Sequence, residues 1–252
     1  MPRTSRKKSE TGIYHLLLRG INKQTIFEED LDKKRFLQAL KEYKAKSGYN
    51  LYAYCLMANH VHLLVKEGPE ELGVAMRRIG ASYVYWYNVK YDRVGHLFQD
   101  RYRSEPVEDD RYFLAVLRYI HQNPVKAGVV PEVKAYPWSS YHEYVSKPDL
   151  VDTEFVLSLF GKNRKQALSD FQRFHTEDET ASCLDVEERR RISDTEAANI
   201  IKSVCNIPHC SDLQKLDRQS RSDYIKILRK KGLSTRQISR LTGLCRNVIV
   251  KA

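Results

Sequence analysis

The sequence lacks any long run of apolar residues. No stretch approaches the roughly 18 residues that a transmembrane helix needs. The basic start MPRTSRKKSE is not followed by the apolar segment of a secretory signal. We therefore expect a cytoplasmic protein with no membrane partner, whose basic start has the composition of an arm that contacts phosphates.

Cysteines are few and scattered. The five cysteines are odd in number and, without a secretion signal, are expected to be reduced thiols. Cys205 and Cys210 flank His209, but no second ligand pair lies at zinc-finger spacing, which argues against a zinc site. The sequence also has no P-loop pattern, no internal repeat and no long low-complexity tract.

Acidic residues are too few to balance the basic ones. Lys and Arg number 43 against 32 Asp and Glu, which gives a net charge of +11 and a pI of about 9.3. This excess predicts a polyanionic partner, with nucleic acid ahead of a membrane surface. The alternative is a basic protein with no such partner. A chain of 252 residues that is 42% hydrophobic can bury a core in one large domain, with or without a small second one.

The first half of the chain alternates between strand and helix patterns. Residues 11–20, 50–57, 60–67 and 102–108 have strand character, and helical patterns lie between and after them, the last ending at Pro124. The order β-α-β-β-α-β-α predicts an α+β fold of the ferredoxin-like (RRM-like) type. We expect an antiparallel sheet with helices on one face and the other face open.

The second half of the chain has a helical pattern. We expect one domain over residues 1–147, a helical extension and an acidic linker over 148–185, and a helical C-terminal domain over 186–252.

Two histidines lie one residue apart in the strand HVHLLVK. Side chains alternate along a strand, so His60 and His62 share the face opposite to Val61, Leu63 and Val65. Their Cα atoms are about 7 Å apart, close enough for both imidazoles to bind one metal ion. Alternatively, the two histidines are half-exposed and hydrogen-bond to their neighbours.

The helix RYFLAVLRYIHQNP offers further candidates. Its apolar stripe leaves Tyr119 on the flank, and Asn123 follows one turn later on the same side. A phenol and a carboxamide could therefore face a metal held by the two histidines. Alternatively, the tyrosine ring covers the core and the asparagine caps the helix.

Four motifs in this order resemble a known family. NHVHLLV resembles the HUH motif, and RYIHQNPVKAGVV resembles the tyrosine helix of single-tyrosine HUH transposases. YHLLLRGINKQTIF and HLFQDRYRS are similar to the same group, whose nearest match is the REP-associated tyrosine transposase family. The resemblance covers about residues 10–145 and implies a ferredoxin-like nuclease domain that acts on single-stranded DNA.

The resemblance also implies roles for these residues. Tyr119 matches the nucleophile, His60 and His62 match the metal-binding histidines, and Asn123 matches the polar ligand after the tyrosine. The metal would be Mg²⁺ or Mn²⁺, which offsets charge on the scissile phosphate. The implied activity is nicking and strand transfer through a 5′-phosphotyrosine, without ATP.

Basic and polar residues beside these motifs are candidate DNA contacts. Family members read a short guide sequence next to a hairpin, and Arg and Gln side chains can reach base edges. The candidates in this domain are Arg19, Asn22, Lys23, Gln99, Arg101 and Arg103. Most aromatic residues of the helix at 69–92 are expected in the core, although Tyr83, Tyr85, Trp86 and Tyr87 could stack on bases.

The last 34 residues carry most of the net charge, with nine Lys or Arg against one Asp. KKGLSTRQISRLTGLCRNVIVKA resembles a helix-turn-helix that would place its second helix in a major groove of duplex DNA. The candidate contacts are Arg236, Arg240, Arg246 and Asn247. The alternative is a pair of solvated basic helices.

Two other functions fit parts of the sequence. A non-catalytic DNA-binding regulator could keep the fold, although the candidate tyrosine, histidines and asparagine are all present. An RNA-binding module has a similar sheet, but its signature aromatics are not evident where the histidines lie. The resemblance favours a monomer over a dimer.

Overall fold

The first part of the chain folds into a mixed α+β unit around a four-stranded antiparallel sheet. The computed structural model describes residues 6–177, 183–185 and 193–251. The chain divides into two compact units, Met1–Val186 and Glu187–Ala252. The start of the basic arm and much of the predicted acidic linker lie outside the described residues.

The four predicted strands are present. They are β1 (Ile13–Arg19), β2 (Asn50–Leu56), β3 (His60–Lys66) and β4 (Arg103–Pro106). Their spatial order is β2-β3-β1-β4, and every neighbouring pair is antiparallel. The amide of Met57 donates to the carbonyl of His60 at 2.9 Å, which closes the two-residue turn between β2 and β3.

The described helices are distributed over both units. The first unit contains α1 (Asp30–Ser47), α2 (Leu72–Lys90), α3 (Asp110–Lys126), α4 (Tyr141–Val145), α5 (Thr153–Ser158) and α6 (Arg164–Phe174). The second contains α7 (Asp194–Cys205), α8 (Arg218–Lys230), α9 (Thr235–Thr242) and α10 (Arg246–Lys251). Within the described ranges, every helix is too short or too polar to cross a lipid bilayer.

Helix α3 begins where the sequence predicts but ends later. The Asp109 carboxylate accepts a hydrogen bond from the amide of Tyr112 at 2.7 Å and caps the first turn. The predicted end at Pro124 is wrong, because the helix continues to Lys126. Proline removes one N–H donor, but this loss falls in the last turn, where only two more residues need to be helical.

Helix α3 also covers the histidine face of the sheet. It packs on β2 and β3, and the rings of Tyr119 and His62 lie 5.5 Å apart. The expectation that this face is open, with helices on the other face alone, is therefore wrong. His62 is completely buried because the amphipathic α3 must cover its own apolar stripe, and the sheet provides the surface.

The opposite face of the sheet contributes to the main hydrophobic core. Val61, Leu63 and Val65 are fully buried there, and they share one core with the side-by-side helices α1 and α2. Of the aromatic residues of α2, Tyr83 and Tyr87 are buried in this core, whereas Tyr85 is 75% exposed. The sequence expectation that most of them are core residues is consistent with this arrangement.

A chain of buried hydrogen bonds anchors α3 to its surroundings. The Nδ1–H of His175 donates to the carbonyl of Phe171 at 2.8 Å, which leaves Nε2 of His175 as an acceptor for Nδ1–H of His121 at 2.8 Å. The Nε2 atom of His121 then accepts from the hydroxyl of Ser140 at 2.8 Å, and that oxygen accepts from the amide of Tyr54 at 2.9 Å. Each donor and acceptor in this chain has one consistent role.

Two more side chains of α3 hold the end of α6. Arg118 donates to the carbonyl of Phe174 at 3.2 Å, and Gln122 donates to the carbonyls of His175 and Glu177 at 3.2 and 2.6 Å. These acceptors lie at the C-terminal end of α6, where carbonyls have no partner within the helix. The extension beyond residue 147 therefore holds the tyrosine helix in place.

We predict that Gly68→Ala lowers the free energy of unfolding. A Cβ atom at Gly68 would lie 2.4 Å from the carbonyl oxygen of Gly48 and 2.7 Å from the amide nitrogen of Tyr49. The backbone must shift, at a cost of about 1–3 kcal/mol. Gly80 in α2 is the matched control, because its Cβ would meet nothing within 4 Å. Gly80→Ala should stabilise the protein by up to about 1 kcal/mol in urea denaturation, and equal effects of the two variants would contradict the prediction.

We also predict that His175 makes the free energy of unfolding depend on pH between about 4 and 6.5. Burial lowers the pKa of His175 from 6.5 to about 4, so the unfolded chain takes up a proton at a higher pH than the folded one. The free energy of unfolding should fall by about 1.4 kcal/mol per pH unit for this group as the pH drops from 6.5 towards 4.

Urea denaturation at several pH values measures this slope. His175→Gln should make it shallower, while the other buried histidines keep part of it. The exposed His96 provides the control, and His96→Gln should leave the slope unchanged. A slope in His175→Gln equal to that of the parent would show that His175 does not contribute.

Candidate active site

Three side chains from β3 and α3 meet at one point. The Nε2 atom of His60 lies 3.3 Å from Oδ1 of Asn123, and Nε2 of His62 lies 3.4 Å from Nδ2 of the same amide. The Asn123 Nδ2 is also 3.5 Å from the hydroxyl of Tyr119. Strand alternation places both imidazoles on the face that α3 covers, and one helical turn separates Tyr119 from Asn123.

The ring of His60 presents a lone pair to Asn123. Its Nδ1 lies 2.7 Å from Oδ1 of Asn59, an oxygen that can only accept, so Nδ1 carries the proton. In the neutral ring, Nε2 is then an acceptor that faces the Asn123 oxygen, which is an acceptor too. Two acceptors without a hydrogen between them repel each other unless something positive lies between or beside them.

The ring of His62 is held from behind by a third histidine. Nδ1 of His62 lies 2.9 Å from Nε2 of His15, which comes from the neighbouring strand β1. Burial lowers the pKa of His62 well below its usual value, and the nearby His15 and His60 add to this. Burial likewise lowers the pKa of His60 and brings that of His15 to about 3. All three rings are therefore neutral at physiological pH.

Tyr119 is almost entirely buried, with 5% of its surface exposed. Its hydroxyl hydrogen-bonds to the carboxylate of Asp185, and the ammonium of Lys126 lies 5.0 Å from the centre of its ring. Burial raises the pKa of Tyr119, and the negative charge of Asp185 raises it further. The phenol is thus protonated at physiological pH in this arrangement, with a carboxylate oxygen in contact with its proton.

This set of donors could hold a divalent cation. Among the described residues, no group of three or more His, Cys, Asp or Glu side chains is placed to hold a metal ion. The candidate set instead combines two imidazole lone pairs with one amide oxygen, and a cation there would relieve the contact between the two acceptors. Neutral ligands leave the charge of the ion available to an anionic substrate.

Several of the predicted DNA contacts lie beside the cluster formed by His60, His62, Tyr119 and Asn123. Arg19 is opposite His60 in the β1–β3 register, and its buried Nε has no hydrogen-bond partner among the described residues. The amide of Gln99 donates to the carbonyl of Arg19 at 2.9 Å. Asn22 and Lys23 are exposed in the turn after β1, and Asn59 donates to the Lys23 carbonyl at 3.4 Å.

The other predicted contacts are more dispersed. Arg101 and Arg103 are exposed at the start of β4, and Arg103 donates to the carbonyl of Asp185 at 3.1 Å. In the second unit, Arg236, Arg246 and Asn247 are exposed. Arg240 is exposed as well, but its guanidinium forms an ion pair with Asp194 at 2.5 Å.

Sequence reasoning missed two residues that contact the cluster, His15 and Asp185. His15 sits in the motif YHLLL, and strand alternation gives a weak signal, because it puts His15 on the same face as Leu17 and Arg19. Asp185 belongs to the segment interpreted as an acidic linker, and no pattern in the sequence connects it to Tyr119. Within that segment, the amide of Leu184 donates to a carboxylate oxygen of Glu105 at 2.9 Å.

Comparison with known proteins identifies relatives of this domain. Residues 8–123 match the model of the family described as IS200-like transposase. A Haemophilus influenzae protein assigned to the REP-associated tyrosine transposases is 26% identical over 121 residues, which cover 44% of this chain and 69% of that protein. The REP-associated tyrosine transposase of Escherichia coli K12 is 22% identical over 111 residues, which cover 43% of this chain and 64% of that protein.

A solved structure shares the fold. It is the REP-associated tyrosine transposase bound to a REP hairpin, which superposes with a TM-score of 0.52 and 18% identity over 61% of this chain and 96% of that one. Its similarity extends the agreement from sequence to the arrangement of the strands and helices. Residues 8–123 thus match the IS200-like transposase family, and the fold resembles that of a REP-associated tyrosine transposase.

Proposed function

We propose that the protein nicks and rejoins single-stranded DNA through a 5′-phosphotyrosine at Tyr119, with the help of Mg²⁺ or Mn²⁺. One observation carries the proposal, namely the convergence of Tyr119, His60 and His62 on the amide of Asn123. In a cluster with only a structural role, we would expect a hydrogen between Nε2 of His60 and Oδ1 of Asn123, but both atoms are acceptors. The match of residues 8–123 to the IS200-like transposase family supports DNA processing in general.

The chemistry follows from the groups in place. The oxygen of Tyr119 attacks the scissile phosphorus while the bond from phosphorus to the 3′ oxygen breaks. The phenol proton has an acceptor in the Asp185 carboxylate, and the departing 3′ oxygen takes up a proton from solvent to become a free hydroxyl. In the return step, a 3′-hydroxyl attacks the phosphotyrosine and releases Tyr119. One phosphodiester replaces another, so no nucleotide triphosphate is required.

His60, His62 and Asn123 would hold the divalent cation. When bound, this ion polarises the phosphate and offsets negative charge as the tyrosine attacks. Arg19 adds a second positive group next to His60, and its guanidinium can donate to a phosphate oxygen. Because the three ligands are neutral, both positive charges act on the substrate.

The proposed substrate follows from the strand order and from the polar residues at one end of the sheet. We infer a ferredoxin-like arrangement from the strand order β2-β3-β1-β4, with the predicted DNA contacts Asn22, Lys23 and Gln99 at the end of the sheet where Arg19 pairs with His60. The related solved protein is bound to a hairpin. We therefore propose a single strand flanked by a hairpin as the substrate. The exposed polar residues at this end of the sheet would contact the bases of the single strand.

The second unit is proposed to bind duplex DNA as a helix-turn-helix. Gly243 joins α9 to α10 with a φ of 75°, a left-handed conformation that favours glycine. Ile238 and Ile249 are buried in the core of this unit, whereas Arg246 and Asn247 are exposed at the start of α10. In a helix-turn-helix, the start of the second helix contacts bases, which supports this role for Arg246 and Asn247.

We predict that the protein forms a covalent adduct with DNA and that Tyr119→Phe abolishes it. The substrate is a pool of hairpin oligonucleotides with a randomised single-stranded flank, incubated with the full-length protein and Mn²⁺. The strand is labelled at its 3′ end, because the 5′-phosphotyrosine retains that part. The adduct is detected after denaturing electrophoresis, and a label at the 5′ end should not be retained.

The exposed Tyr85 supplies the control for this assay. Tyr85→Phe should form the adduct as the parent does, because accessibility alone does not make a nucleophile. Removal of metal by EDTA should stop adduct formation. An adduct that persists in Tyr119→Phe would place the nucleophile elsewhere, and the absence of any adduct with the parent would favour a non-catalytic DNA-binding regulator.

We also predict that Arg246→Ala weakens binding of the full-length protein to duplex DNA. Loss of one phosphate contact should reduce the salt slope by about one, and loss of a base contact should cost about 1–3 kcal/mol at the preferred sequence. Fluorescence anisotropy at several salt concentrations measures both. The control is Arg164→Ala, an exposed arginine of the first unit paired with Glu154. Equal affinities of Arg246→Ala and the parent would remove α10 from the interface.

A further inference from the structure

A third imidazole stands directly behind the proposed cation ligands. His15 on β1 is fully buried, and its Nε2 lies 2.9 Å from Nδ1 of His62. The two rings are 5.1 Å apart between centroids, and the His15 ring also meets the edge of Tyr119 at 5.9 Å. His15 therefore touches both a proposed ligand and the proposed nucleophile, although it does not point at the cation site itself.

The hydrogen between His15 and His62 decides whether His62 can bind a cation. A neutral imidazole carries one proton, and only the nitrogen without it has a lone pair for a metal. If His62 donates from Nδ1 to His15, its Nε2 lone pair faces Asn123 and the cation site. If His15 donates instead, the proton of His62 sits on Nε2 and blocks the site.

The surrounding contacts favour the first arrangement. Nε2 of His62 faces Nδ2 of Asn123 at 3.4 Å, and an amide nitrogen can only donate. The Nε2 atom therefore accepts, Nδ1 carries the proton, and His15 receives it. The proton of His15 is then on its own Nδ1, a buried atom with no hydrogen-bond partner among the described residues.

That unpartnered Nδ1 is the feature that calls for an explanation. A buried polar atom without a partner is rare, and a leucine or phenylalanine at position 15 would avoid it. Among the described residues, His62 is the one polar partner of this ring. The chain thus retains a buried polar ring, one of whose nitrogens is unsatisfied, for the sake of a single hydrogen bond.

We infer that His15 is a positioning residue that holds His62 in the tautomer and orientation required to bind the cation. The inference rests on the function proposed above. Histidine ligands commonly donate their other N–H to a carboxylate or a carbonyl. Here the acceptor is a neutral ring, so it orients His62 without adding negative charge, and the ion keeps its full charge for the phosphate.

Substitution of His15 tests this role without DNA. Mn²⁺ is titrated into the metal-free full-length protein, and the free ion is followed by its EPR signal. His15→Phe retains a ring but no acceptor, and we expect it to weaken Mn²⁺ binding about 10- to 100-fold. His15→Gln retains an acceptor at the end of its side chain, and its affinity should stay within the same order of magnitude as that of the parent.

A second measurement reports the tautomer directly. Nitrogen-15 NMR of the histidine rings in the metal-free protein should show the proton of His62 on Nδ1 in the parent and in His15→Gln. His15→Phe should lose this single tautomer. Thermal unfolding of each variant shows whether it folds, and His15→Met takes the place of His15→Phe if the latter does not.

The outcomes separate this role from the proposed function. Binding of Mn²⁺ by His15→Phe with the affinity of the parent would overturn the role of His15 and leave the proposed function standing. A proton on Nε2 of His62 in the metal-free parent would do the same. Failure of the parent itself to bind Mn²⁺ would overturn the proposed metal chemistry, and the role of His15 with it.

Discussion

The structure depends on the packing of one helix, α3, against the face of β3 that carries two histidines. A buried imidazole loses its contact with water and must be neutral and hydrogen-bonded to be tolerated there. The pairing of His62 with His15 on one side and with Asn123 on the other meets that requirement. The same pairing brings Tyr119 to the cluster, because it lies one helical turn from Asn123.

The position of α3 is in turn set by residues outside the segment that matches the family. Its polar side is hydrogen-bonded to Ser140 and to the end of α6 through Arg118, His121 and Gln122. Directional bonds of this kind specify rotation about the helix axis, which apolar packing alone specifies poorly. The helical extension is therefore a structural part of the domain that contains the candidate active site.

Charge is distributed to suit a polyanionic substrate. The three histidines, Asn123 and the protonated Tyr119 are neutral, while Arg19 and the exposed Asn22 and Lys23 of the β1–α1 turn lie beside them. The basic C-terminal unit adds a separate set of exposed groups on α10. The proposed function assigns a single strand to the first unit and a duplex to the second. A single strand is bound by stacking and base-edge contacts, and a duplex by insertion of a helix into a groove.

Local patterns account for most of what the sequence predicted. Period-two alternation separates His60 and His62 from Val61, Leu63 and Val65, and capping residues such as Asp109 mark where helices begin, because these effects involve neighbours in the chain. The end of α3 was placed too early, because a proline in a last turn costs little when tertiary contacts hold the helix.

By itself, the sequence determined the strands, the helices and the identity of the four central residues. Only the tertiary structure decided that α3 covers the histidine face, that His15 stands behind His62 and that Asp185 reaches Tyr119. These contacts join residues 47 to 66 positions apart in the chain, and no local periodicity records which distant side chains will meet. The helix covers that face because its apolar stripe must be buried, and the fold then determines which polar partners lie within reach of one another.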